Sequence, residues 1–135
     1  MLLLAATAAS AGGQATTLAG SWRGTSLCVD TVNYAACNNE QVIYDAVAKA
    51  GTRDTATLRA DKIVNGARDF MGEFDFAFQA DSTWAAEFRN PRVHVRLVLR
   101  VTGDHLDGTM TDVVANRRVR EMSLDRVRAG PSTPR

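Results

Sequence analysis

The stretch Phe70-Met71-Gly72-Glu73-Phe74-Asp75-Phe76-Ala77-Phe78 alternates with a period of two. Phe70, Gly72, Phe74, Phe76 and Phe78 share one side. Met71, Glu73, Asp75 and Ala77 fall between them. Successive side chains of an extended chain point to opposite faces, so four phenylalanines on one face mark a half-buried strand. The same period recurs downstream. Val93, Val95, Leu97, Leu99 and Val101 alternate with His94, Arg96, Val98 and Arg100, and Trp84, Ala86 and Phe88 alternate with Ala85, Glu87 and Arg89.

Breakers punctuate these runs at regular intervals: Gly51 to Asp54, Asn65-Gly66 to Asp69, Asp81-Ser82, Asn90-Pro91, Gly103-Asp104 and Asn116-Arg117. Cutting there leaves eight segments, 18–29, 40–49, 55–63, 70–80, 83–89, 92–102, 105–115 and 117–127. Val42 to Lys49 has helical length, but Val42, Ile43, Tyr44 and Val47 favour a strand. Short links force antiparallel neighbours. The expected fold is therefore all-β: an eight-stranded antiparallel up-and-down meander barrel that buries its apolar faces by closing on itself. A two-sheet sandwich needs crossovers that these links leave little room for.

The chain has 135 residues, 45% hydrophobic and 23% charged, with a formal net charge of +1. That is one domain of ordinary globular composition. The charge balance gives no field to draw it to nucleic acid. Leu2, Leu3 and Leu4 followed by an Ala/Thr run, with Ala9-Ser10-Ala11 behind them, have the form of a signal peptide over residues 1–15 that lacks its positive start. This run is too short for a membrane span. Residues 18–128 are then the barrel domain, and 129–135, with Gly130, Pro131 and Pro134, a disordered tail. The two cysteines, Cys28 and Cys37, are close enough to pair in an oxidising compartment, which places the protein in the periplasm or outside the cell. Such a loop of about ten residues contributes roughly 2–3 kcal/mol in the chain-entropy account. Half a metal site is the rival reading, but His94 and His105 are distant and no further cysteine exists.

Gly20 and Trp22 form a G-x-W pattern on the first strand, and Arg126 lies on the last. With the eight-strand meander, these residues resemble the calycin superfamily of lipocalins and fatty-acid-binding proteins. The resemblance implies a lipocalin-like barrel whose tryptophan plugs a closed base and whose arginine packs across it. Strand parity gives the same pairing. If the first strand rises from Trp22, the eighth descends and returns Arg126 to the base.

Parity also sets the open end. Links 1–2, 3–4, 5–6 and 7–8 lie there, and the first, Asp30 to Asn39, is the longest and carries Cys37. Tyr34, Tyr44, Phe70, Phe88 and Val95 are the expected inward residues near that mouth. They are candidates to hold a small apolar molecule. A barrel this narrow can instead be filled by its own side chains, leaving a protein-binding module such as an exported hydrolase inhibitor. Arg117, Arg118 and Arg120 read as a basic cluster on an exposed strand face, and Asp104, Asp107 and Asp112 as turn residues. G-x-S-x-G, H-E-x-x-H and a Gly-rich phosphate loop are all absent, so neither catalytic residues nor a cofactor nor a metal is expected.

Overall fold

The structure, a computed structural model, describes residues 15–128. Residues 1–14 of the expected leader and the expected tail 129–135 lie outside the described residues. One helical turn, α1 (Ala15–Leu18), precedes eight strands: β1 (Gly20–Cys28), β2 (Glu40–Ala48), β3 (Thr55–Val64), β4 (Ala67–Phe78), β5 (Thr83–Arg89), β6 (His94–Thr102), β7 (His105–Asp112) and β8 (Arg117–Arg126). Each pairs antiparallel with the next, and β8 returns to β1, so the sheet is a closed barrel in meander order. This architecture is consistent with a lipocalin-like fold.

Most strand ends shift by one to three residues from the sequence expectation, and two of the shifts have a clear local cause. The first strand begins at Gly20, because Ala15–Leu18 forms the helical turn. The fourth begins at Ala67, because the link is only Asn65-Gly66, with φ of 51° and 78°. Two successive positive φ values make the two-residue hairpin that matches strand twist.

The base is closed as parity requires. Trp22 and Arg126 are direct partners in the β1–β8 ladder, and the Arg126 guanidinium carbon lies 4.2 Å from the centre of the Trp22 ring. Helical turns leave their last carbonyls without partners. Here Arg126 donates to the Thr17 oxygen at 2.9 Å and the Ala19 oxygen at 2.6 Å, and the Trp22 indole donates to the Leu18 oxygen at 2.9 Å. The two residues of the motif thus fasten α1 under the barrel, with Leu18 fully buried. Gly20 has φ +127°, and a Cβ there would lie 2.7 Å from an Arg126 nitrogen. At Gly24 a Cβ would lie 2.0 Å from the Ser123 carbonyl oxygen, so glycine is what lets β1 and β8 meet.

Above the base, Trp22, Trp84, Leu106, Leu124 and Ala56 fill the interior with residues that are all buried. The outer wall carries Arg23, Asp45, Arg59, Glu73, Arg96, Arg100 and Asp125. Apolar inside and charged outside is the reverse of a membrane-spanning barrel. Among the described residues no helix is long and apolar enough to cross a membrane.

The β3–β4 ladder shifts register between Ala60 and Asp61. Ala60 faces Gly72, while Asp61 faces Phe70. Met71 is therefore an extra residue, a β-bulge that inverts the alternation beyond it. Phe70, expected inside, lies on the outer wall. It is 54% exposed and sits under Arg59, whose guanidinium carbon is 4.9 Å from its ring centre. Met71 borders the interior in its place.

At the base rim, His105 Nδ1 lies 2.9 Å from Asp125 and Nε2 lies 3.0 Å from Asp107. Both ring nitrogens can donate only in the charged form. The hydrogen bond to Asp125, then that to Asp107, raises its pKa above 6.5. A raised folded-state pKa stabilises fully below the unfolded value and loses that contribution as pH rises through the folded one. Urea denaturation of His105→Gln should therefore show the wild-type advantage at pH 6 and its loss above neutrality. A pH-independent difference would contradict the charged pairing.

Candidate functional site

The upper half of the barrel is hollow. A cavity of about 130 Å³ lies above the packed base. Its apolar wall is Leu58, Phe74, Phe76, Leu97 and Leu99, with Met71, Met110 and Met122 completing it. Three methionines make an adaptable wall, because the thioether side chain is unbranched and polarisable.

Polar groups cluster on one side: Ser26, Glu40, Tyr44 and Arg120. The sequence groups Arg120 with Arg117 and Arg118 on an exposed face. Instead it points inward. It faces Met110 across β7 and Cys28 across β1, and a register shift after Met110 leaves Val119 as an extra residue between Arg120 and Arg118. The guanidinium is fully engaged at both terminal nitrogens. One donates to the Ser26 oxygen at 3.3 Å and its hydroxyl at 3.2 Å. The other donates to the Asn38 oxygen at 2.9 Å and reaches Glu40 at 2.9 Å. A charge held this far from water needs such pairing.

Of the residues expected at the site, Tyr44 lines the cavity and is 6% exposed. Burial, with a further push from Glu40, raises its pKa well above the ordinary phenol value, against a smaller opposing effect of Arg120. It therefore stays neutral. Val95 is buried beneath the mouth and faces Phe88, which is partly exposed at the rim. Tyr34 stands in the first link, and its hydroxyl donates to Asp112 at 2.6 Å. That bond ties the long loop to β7 across the mouth. The loop is braced further by the Cys28–Cys37 disulfide and by Asn39, which accepts from the Cys28 amide at 2.8 Å. Tyr34 and Val95 border an outer hollow shared with Met110, not the cavity itself, and Phe70 is on the outer wall. The structure thus brings Tyr44 to the cavity, sets Phe88 and Val95 above it, and removes Phe70. Glu40 and Arg120 join it without having been singled out as site residues. The cue for them was available: an isolated acid at the start of one strand and an arginine on β8, placed by parity at the same end.

One seam of the wall is open. β4 and β5 pair only at Ala77–Ala85 and Phe78–Trp84, near the base. Continuing that register upward sets Phe74 opposite Phe88. Their rings meet edge to face with centres 6.1 Å apart. An aromatic contact replaces backbone hydrogen bonds at the level of the cavity.

Among the described residues no group of three or more His, Cys, Asp or Glu side chains is arranged to hold a metal ion. His105, Asp107 and Asp125 are neighbours, but the two carboxylates flank opposite ring nitrogens. No protein-family model matches the chain, and no curated protein matches it.

Proposed function

We propose that the chain is an exported lipocalin-like barrel that binds a small apolar molecule in its upper interior and does no chemistry on it. The observation that carries this reading is the cavity itself. It is apolar over most of its wall and closed below by the packed base, and the long loop at the same end of the barrel is tied down. Its volume, about 130 Å³, is close to that of an engineered cavity that takes benzene, and below the usual range for drug-sized ligands. The occupant is therefore compact, not a long acyl chain. The disulfide fits an oxidising compartment, periplasmic or extracellular.

Benzene titrated into the disulfide-intact protein should shift the methyl resonances of Met71, Met110 and Met122 saturably. Unmoved methyl groups would overturn the ligand reading.

A protein-binding module, such as a hydrolase inhibitor, is the second reading. One observation favours it. Apart from Val47 and Val127, the exposed large apolar residues all lie in the mouth-side half, with Val32 90% and Val114 85% exposed. A silent benzene titration, with a partner whose capture is lost on Val32→Asp, would favour this alternative.

A further inference from the structure

The Tyr44 hydroxyl is the loose end of the cavity. The residue is 6% exposed and borders the cavity, and its hydroxyl has no hydrogen-bond partner among the described residues. Among the described residues, Trp84 Nε1 alone is a fully buried side-chain polar atom without a partner, so the Tyr44 hydroxyl keeps accessible surface and hydrogen-bonding capacity beside the cavity. A ligand group that can accept from it, or donate to it, uses that capacity in place of water.

Charge narrows the class. Arg120 would ordinarily invite a carboxylate. Here Glu40 already holds it at 2.9 Å, and Ser26 and Asn38 take further donors. The polar side of the cavity therefore carries no net charge. A ligand carboxylate would meet Glu40 as a like charge inside a poorly solvated site, which is costly. Size narrows the class again, because about 130 Å³ admits one ring and few substituents.

We propose that the cavity selects a compact, uncharged ring bearing one hydroxyl or carbonyl group, the phenol class, with that group hydrogen-bonded to the Tyr44 hydroxyl. This rests on the reading of the barrel as a ligand site. Tyr44 sets specificity, and Glu40 excludes acids by neutralising Arg120.

The test uses the full, disulfide-intact chain and three probes of one ring each, phenol, benzene and benzoate, followed by calorimetric or NMR titration. Phenol should bind about five- to tenfold tighter than benzene, the worth of one hydrogen bond to an otherwise unpaired group. Benzoate should be weakest. Tyr44→Phe should abolish the preference for phenol and leave benzene binding unchanged, with an unaltered thermal midpoint showing that the barrel is intact. Glu40→Gln, which frees Arg120, should raise benzoate relative to phenol. Binding of benzene with no advantage for phenol would overturn the proposal while leaving the ligand reading standing. So would a phenol preference that survives Tyr44→Phe, or benzoate binding tightest to the wild type. Failure of every probe to bind would overturn both.

Discussion

Replacing Trp22 with alanine is expected to lower the unfolding free energy by about 3–5 kcal/mol, as for other fully buried aromatic side chains. Trp22 has no exposed surface, and more than its own packing depends on it. Its indole satisfies the Leu18 carbonyl, and its ring carries the Arg126 guanidinium, which in turn holds the Thr17 and Ala19 carbonyls and reaches Asp104 at 3.2 Å. Removal of the ring leaves the α1 carbonyls held by Arg126 without the indole, beneath a void at the barrel floor. Arg126→Ala should cost less, because its guanidinium is partly exposed. The two losses should fall short of additive, with a coupling of about 0.5 kcal/mol or more in a double-mutant cycle read by urea denaturation. The cation–ring contact alone is worth about 0.5–2 kcal/mol. Strictly additive losses would mean that the base is closed by two independent contacts and not by one unit.

The parts of this fold that are legible in the sequence are those that repeat. Eight apolar runs of period two, separated by turn residues, specify eight strands, and short links specify their order. Trp22 and Arg126 are joined by strand parity, a counting argument that survives small errors in strand ends. Phe70 shows where counting fails. Its alternation with Phe74, Phe76 and Phe78 is unbroken in the sequence, yet one extra residue at Met71 turns it outward. A bulge changes no composition, so periodicity along one strand cannot show it.

The conflict becomes visible only between two strands. The Asn65-Gly66 hairpin sets Val64 opposite Ala67 and hence Asp61 opposite Phe70. Continued without a shift, that register would place Glu73 opposite Leu58 and Phe74 opposite Thr57. The apolar faces demand Phe74 opposite Leu58, and a single extra residue on β4 reconciles the two. A break that runs from Asn65 to Asp69 hides the Asn65-Gly66 hairpin that sets the register. The site residues follow the same logic. Tyr44 lies on a strand without a bulge and falls where expected. Arg120 lies next to the second bulge and reads as one of three exposed arginines, although it pairs with Glu40 inside.

The bulge at Met71 also creates the largest electrostatic liability of the wall, and Arg68 should be the residue that pays for it. Asp61 faces outward beside Phe70, yet its side chain is 0% exposed. Arg68 donates to it from two nitrogens, at 2.8 Å and 2.7 Å, and also bridges to Asp45, while Arg59 reaches it at 3.2 Å. Phe70, held under Arg59, belongs to the same cover. Arg68→Ala should therefore cost about 3 kcal/mol, the low end for breaking a buried ion pair, because Arg59 remains. Removing the carboxylate as well, in Asp61→Ala/Arg68→Ala, should restore part of that loss, since no uncompensated charge is left in the wall. Urea denaturation at neutral pH separates the outcomes. If the double variant is less stable than Arg68→Ala alone, Asp61 stabilises the wall through contacts other than its charge. If Arg68→Ala costs under about 1 kcal/mol, as an exposed pair would, the carboxylate gains water when Arg68 leaves, and the turned-out Phe70 is not what seals it.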